Sequence, residues 1–359
     1  MREKYREMKI LKPITIVGGG LAGLTLGIGL RHRNVPVRLS ESGHYPRHRV
    51  CGEFISGRGQ ATLARLGLRE VLEHAGATGA DTAAFFSTTR TTGPRPLPAQ
   101  AICLSRFTLD AALANEFQKL GGELRVGVRA SAYPDWRELQ PEGVVRATGR
   151  QVRGEENAPR WFGLKAHARN VPLAADLEMH VSSRGYVGLC RINGGLVNVC
   201  GLFRQRGAES DRPQDRLELL RGPADSLVHQ RLATAEFDKD SICAVAGLSL
   251  RPRQAATRTE CCIGDAITMI PPVTGNGMSM AFESAELALE PLMAWSHGKI
   301  SWAEAQSEIA RRCDAAFARR LAWAQWLQWL ILTPSVQNIL VRLASRSDWF
   351  WRMAFEKTR

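Results

Sequence analysis

The sequence has no Cys-x-x-Cys pair; its eight cysteines are scattered, with only Cys261 and Cys262 adjacent. That spacing excludes a familiar zinc site and argues against a disulfide framework, so a reducing compartment is expected. No apolar run reaches the length needed to span a bilayer. Met1 to Lys12 are largely charged or polar and lack the apolar centre of a secretory leader, so a cytoplasmic location is expected. Zinc-finger and ribonucleoprotein signatures are missing, and the arginines are dispersed rather than interleaved with aromatics. Nucleic acid is therefore not expected as a partner.

The 359 residues carry 48 Lys and Arg against 35 Asp and Glu, a net charge of +13. With nucleic acid set aside, that excess suits either a polyphosphate-bearing ligand or an anionic membrane surface. At 44% hydrophobic and 23% charged, the composition is that of a globular chain with room for two modest domains or one large one.

The chain is organised around Ile14-Thr15-Ile16-Val17-Gly18-Gly19-Gly20-Leu21-Ala22-Gly23. A β-branched strand runs into glycines spaced Gly18-x-Gly20-x-x-Gly23, the pattern of a dinucleotide-binding turn. Gly18 would turn the chain out of the strand, Gly20 would let a pyrophosphate approach the backbone, and Gly23 would let the helix pack on the sheet. The amides of the helix start, at Leu21 and Ala22, form a ready anion site. An apolar helix follows from Leu24 to Leu30, then a second strand, Val35 to Glu41. Glu41 ends that strand, where a carboxylate with Ser42 beside it takes the ribose hydroxyls of an adenosine and repels a 2′-phosphate.

The basic loop from Ser42 to Glu53 contains Arg47, Arg49 and Cys51-Gly52. If it runs along the nucleotide, either arginine would neutralise phosphate or ring charge and Cys51 would line the pocket. A helical pattern covers Gly59 to Ala75. Asp81 to Ala101, with Ala83 to Thr88 strand-like, reads as an excursion into a second sheet. Arg106 stands at the entry of a helix with apolar Leu109, Leu113, Phe117 and Leu120, where a cation opposes the dipole unless a phosphate is near.

From Trp161 to Phe203 the pattern alternates and contains the turn Asn193-Gly194-Gly195, which predicts an antiparallel meander. His167 and His180 are expected on a sheet face without an acidic partner. Helices are predicted at about Arg212–Leu220 and Asp225–Ala233, and Ile242 to Leu250 returns toward the first domain.

A second motif runs Glu260-Cys261-Cys262-Ile263-Gly264-Asp265, then Pro271-Pro272-Val273-Thr274-Gly275-Asn276-Gly277-Met278. A short strand ends in Asp265, which could bind a sugar-like hydroxyl. The turn at Gly275, Asn276 and Gly277 opens a long helix to about Trp295, whose dipole would stabilise negative charge on a ring. Leu321 to Leu332 is apolar all around, stopped by Thr333-Pro334. The favoured reading is a helix buried over the catalytic domain; the alternative is a peripheral membrane contact through residues 321–332.

Three blocks in this order resemble the flavoprotein superfamily of para-hydroxybenzoate hydroxylase and geranylgeranyl reductase: Gly18-x-Gly20-x-x-Gly23 with Glu41, Arg106 with Asp110, and Gly264-Asp265 with Pro271-Pro272 and Gly275-x-Gly277. The resemblance implies an α/β fold: a doubly wound FAD-binding domain (10–80, 101–160 and 255–297), an inserted antiparallel substrate domain (81–100 and 161–254) and a helical C-terminal region (298–359). It implies FAD, with Asp265 on the ribityl chain, Pro272 and Gly275 to Gly277 beside the flavin, and the Gly277 and Met278 amides on its pyrimidine edge. Cys51-Gly52 is similar to the signature of the reductase branch. Ala147-Thr148-Gly149-Arg150 stands where hydroxylases usually carry Asp-Gly, which puts ordinary NADPH docking in doubt, although NADPH or NADH is still the expected donor. The Trp-x-Trp-x-Ile-Pro signature of flavin halogenases is absent, so halogenation is discounted.

The expected function is FAD-dependent oxidation of a hydrophobic small molecule, with hydroxylation of an aromatic or polyketide-like substrate favoured. Arg49 and Cys51 are the candidate catalytic residues. Reduction of isoprenoid double bonds is the alternative, and a flavin- or lipid-binding carrier at a membrane is the non-enzymatic rival. Nothing in the sequence sets an oligomeric state.

Overall fold

The computed structural model describes residues 11–129, 142–150, 161–204 and 216–357. β1 (Ile14–Val17) is buried and feeds α1 (Leu21–Arg31), whose residues Leu21 to Leu30 are all buried. An all-apolar helix needs neighbours on every side. It finds them in the sheet, in α4 (Arg106–Lys119) and in α7 (Gly277–Ser296). β2 (Val37–Glu41), β6 (Glu123–Val126) and β7 (Val144–Arg146) complete a parallel sheet in the order β6-β2-β1-β7.

The predicted strand at Cys261 to Gly264 is shorter than expected. It makes one parallel bridge, Cys262 to Arg146, with Arg146 donating to Cys261 O at 2.8 Å and Ile263 donating to Arg146 O at 3.0 Å. Gly264 then turns the chain inward with a φ of 62°.

The second sheet has eight strands. β3 (Phe54–Ile55), β4 (Thr78–Phe86) and β5 (Arg95–Cys103) form one end, with α2 (Arg58–Arg65) and α3 (Arg69–His74) between β3 and β4. β8 (Trp161–Arg169), β9 (Leu177–Ser182), β10 (Gly185–Arg191), β11 (Val197–Arg204) and β12 (Glu236–Leu248) form the rest, in the order β12-β8-β11-β10-β9-β4-β5-β3. Neighbours are antiparallel except β4 with β9, which are parallel. The Asn193-Gly194-Gly195 turn joins β10 to β11 as its residue types predict, with Gly194 and Gly195 at φ 69° and 68°.

Three expectations change. The helix foreseen from Gly59 to Ala75 is broken into α2 and α3 by Gly67, at φ 68°. Ile242 to Leu250 does not return to the first domain; as far as Leu248 it belongs to β12, paired with β8. Of the two helices foreseen beyond residue 211, the described parts are α5 (Arg216–Arg221) and α6 (Leu227–Arg231), and residues 212–215 lie outside the described residues.

The two faces of the second sheet differ. Leu164, Ala166, Val187, Leu189 and Val199 pack outward under α5 and α6. Gly163, Tyr186, Gly188, Cys200 and Leu202 turn inward, toward the parallel-sheet domain. The C-terminal helices α8 (Trp302–Ile331), α9 (Pro334–Arg346) and α10 (Asp348–Glu356) follow, with α8 packed along α7. Leu321, Ala324, Gln328 and Ile331 of α8 face in, whereas Trp326 and Trp329 face solvent. The stretch 321–332 is thus the end of a thirty-residue helix buried on one side only.

Candidate functional site

A cavity of about 640 Å³ separates the parallel-sheet domain from the inner face of the second sheet. That lies within the range of small-molecule sites. Two helices begin at its wall, α1 after Gly20 and α7 at Gly277, and neither start is capped by a side chain. By contrast, α4 and α8 have serine caps, Ser105 and Ser301. Uncapped amides and two positive dipole ends facing one cavity favour an anionic ligand.

The first start is shaped by contact. Gly18 has φ 112°, and a Cβ there would lie 2.3 Å from Ala147 O, so only glycine makes the turn. A Cβ at Gly20 would meet nothing within 4 Å, which leaves the amides open to a ligand. Glu41 is buried beside them. Its carboxylate accepts from the Gly19 amide at 2.8 Å, the Gly43 amide at 2.9 Å and the Ser42 hydroxyl at 3.0 Å, and pairs with Arg47 at 2.7 Å. Burial pushes the Glu41 carboxyl up, but Arg47 and the two amides outweigh it and bring it down to about 2.

At the second start, Gly275 has φ 65° and a Cβ there would strike the Phe54 ring at 2.2 Å. A Cβ at Gly277 would meet open space. Asn276 is fully buried, and neither amide atom of its side chain has a partner. An unpartnered buried amide is expensive, and here it stands between two cavity-lining glycines with both a donor and an acceptor to offer a polar ligand. Asp265, on the same wall, has its carboxyl raised by burial, with Arg150 and Arg106 opposing the rise.

The predicted site residues divide. Gly18, Gly20, Leu21, Ala22, Glu41, Ser42, Arg49, Cys51, Arg106, Asp265, Pro272, Gly275, Gly277 and Met278 all line the cavity. Gly23 stands behind it, where a Cβ would come within 2.0 Å of Gly18 O. Arg47 turns away: its guanidinium lies on Glu41 and over the Tyr45 ring, so of the two loop arginines it is Arg49 that reaches the wall. Arg106 faces the cavity, but Asp110 grips it at 2.7 and 2.8 Å, which answers the charge at its helix start. The Cys51 thiol is raised by burial, against the pull of Arg106, and is a neutral wall rather than a thiolate.

Other residues of the site carry no signal in the sequence. His167 and His180 both have acidic partners, contrary to expectation. His167 Nε2 lies 2.7 Å from Glu53, which is distant in sequence, and His180 Nε2 lies 2.8 Å from Glu178. His180 stacks on Phe86 while Glu178 pairs with Arg231 of α6, so both point away from the inner face. Lys165 and Glu53 are fully buried beneath the Arg49–Cys51 loop, and Asn198 donates to Cys51 O at 2.9 Å. These long-range contacts hold the loop on the sheet. The Tyr186 hydroxyl, kept neutral by burial, and the side-chain-free surface of Gly188 form the far wall.

Two comparisons find nothing: the sequence matches no protein-family model and no curated protein. Solved structures do match. A flavoprotein/dehydrogenase from Cytophaga hutchinsonii aligns over 97% of this chain and 92% of its own, with a TM-score of 0.73 at 13% identity. This chain shares that fold. The myxobacterial chondrochloren halogenase CndH aligns over 97% and 92%, with a TM-score of 0.69 at 18% identity. PqsL, a probable FAD-dependent monooxygenase from Pseudomonas aeruginosa, aligns over 92% and 99%, with a TM-score of 0.67 at 16% identity.

The residues present fit an FAD. The open approach to the Gly20 and Gly277 backbone, the two uncapped starts and the unpartnered Asn276 amide match its anionic and polar parts.

Proposed function

We propose that this protein is an FAD-dependent monooxygenase that hydroxylates an apolar aromatic or polyketide-like molecule, with NADPH or NADH as electron donor. The observation that carries the proposal is the single cavity running from both uncapped helix starts to an inner sheet wall of Ala83, Phe85, Leu177, Met179, Tyr186, Gly188 and Leu202. One end suits a dinucleotide and the other an apolar ring. When bound, the flavin would supply electron transfer to oxygen and delivery of one oxygen atom to the substrate.

The chain's own residues have separate tasks. The Gly18–Gly20 turn and the Leu21 and Ala22 amides would hold the pyrophosphate, with Glu41 and Ser42 on the adenosine ribose. Asp265 would hold the ribityl chain, and the α7 start at Gly277 and Met278 would hold negative charge on the ring. Arg49, held below its ordinary value by burial and by the neighbouring Arg47 and Arg106, lies 4.0 Å from Glu41 on the cavity wall and would put a cation beside the nucleotide. The neutral Tyr186 hydroxyl can donate to a polar group of the substrate, while the apolar wall excludes water.

Halogenation, discounted above on the missing Trp-x-Trp-x-Ile-Pro signature, returns as the second reading because a halogenase aligns over nearly the whole chain. The test is to supply chemically reduced FAD, oxygen and a panel of phenols and indoles, with and without bromide, and weigh the products. A gain of one oxygen supports the proposal, and a gain of bromine supports the second reading. A gain of two hydrogens without oxygen use would overturn both in favour of double-bond reduction.

A further inference from the structure

Five of the seven large apolar side chains exposed among the described residues lie between positions 326 and 349: Trp326, Trp329, Ile339, Leu343 and Trp349. Trp329 is 64% exposed and Trp349 is 72% exposed, values that leave most of each indole in water. Such a concentration marks an interaction surface rather than scatter. The three helices that carry it are consecutive, α8 packed on α9 and α9 on α10.

Each helix mixes its exposed apolar residues with arginine at helical spacing. On α9, Ile339, Arg342, Leu343 and Arg346 recur at i, i+3, i+4 and i+7, opposite the buried Gln337 and Val341. On α8, Trp326 and Trp329 continue the exposed stripe of Arg319. On α10, Trp349 stands one turn from Arg352. No acidic residue occurs from Arg319 to Ser347. The next, Asp348, is taken by Arg95.

We propose that α8, α9 and α10 dock on an anionic phospholipid surface, tryptophans at the headgroup level and arginines on the phosphates. The charge complementarity decides between occupants: tryptophan with arginine and almost no carboxylate is the composition of a helix face lying in a lipid interface. A second copy of this face would bring arginines against arginines. No helix among the described residues is long and apolar enough to cross a membrane, so the contact is peripheral.

A smaller apolar cavity of about 100 Å³ lies under the same helices, lined by Leu327, Ile331, Leu340, Phe350 and Trp351. It shares Phe85, Val273, Thr274 and Phe355 with the main cavity. Resting on the proposed oxidation of an apolar substrate, this common wall sets the docked face beside the substrate end of the main cavity, the side from which a lipid-dissolved substrate would enter.

The test is co-sedimentation of the full chain with vesicles of phosphatidylcholine alone or with one third phosphatidylglycerol. Binding is expected only to the anionic vesicles and is expected to weaken as salt rises. The variants W326S/W329S and R342E/R346E are each expected to lose at least tenfold in vesicle affinity, with unchanged far-ultraviolet dichroism and unchanged FAD binding. Binding to neither vesicle, equal binding by the variants, or a dimer that buries these tryptophans would overturn the proposal. Because vesicle binding is read without turnover, its failure is separate from failure of the monooxygenase reading.

Discussion

Lys165 Nζ lies 3.2 Å from Glu53 Oε1, and both side chains are wholly buried. Glu53 also takes His167 at 2.7 Å and the Arg106 amide at 2.8 Å, while Lys165 reaches His48 Nδ1 at 3.2 Å. Burial pushes the Glu53 carboxyl up, but His167 and Lys165 hold it below its ordinary value. The pair joins the Arg49–Cys51 loop to β8. Truncating either partner strands a buried charge, so Lys165→Met is expected to destabilise the fold by about 3–5 kcal/mol. Urea denaturation checks this, and Lys165→Met combined with Glu53→Met is expected to recover much of the loss.

Acid sensitivity follows from Glu41. Its carboxyl titrates at about 2 in the fold against an ordinary 4.5, so the folded state binds fewer protons than the unfolded one in that window. The stabilisation is therefore complete above about pH 4.5 and is lost as pH falls toward 2, roughly 3 kcal/mol in all. Glu41→Gln is expected to flatten the stability profile across that window, measured by thermal melts at successive pH values.

Asn276 separates ligand from scaffold. With neither amide atom partnered, Asn276→Ala removes an unsatisfied group and is expected to leave the ligand-free protein as stable or about 1 kcal/mol more so. The same change is expected to weaken FAD binding about tenfold. A melt and a flavin titration on one preparation read both.

Gly188 marks the substrate end. A Cβ there would have only Cys200 O at 3.7 Å and Glu178 O at 3.9 Å near it, both ordinary contacts, and it lines the cavity. Gly188→Val is therefore expected to fold and to hold FAD normally, while substrate-dependent oxygen uptake falls at least tenfold.

The glycine turns were legible because each must satisfy a local constraint: Gly18 a positive φ, Gly275 a ring packed against it. The β10–β11 turn was legible for the same reason. The buried network was not, because Glu53, Lys165 and His167 meet across 112 or more positions and no periodicity reports a partner at that distance. Likewise Arg47 and Arg49 stand two apart in one basic loop and both approach Glu41, at 2.7 and 4.0 Å, yet only the fold decides that Arg49 alone lines the cavity. The apolar run 321–332 misled in part, since tryptophan counts as core in a pattern but faces solvent here.

The central claim is that one flavin lies between the starts of α1 and α7, and fluorescence titration of the purified chain with FAD tests it most directly. Gly20→Asp and Gly277→Asp place a carboxylate in open space, where nothing within 4 Å forbids it, so both variants are expected to melt like the parent without ligand. One FAD per chain is expected for the parent, with affinity at least a hundredfold weaker in each variant. Tight binding that survives both substitutions, or a parent that binds no flavin, would contradict it.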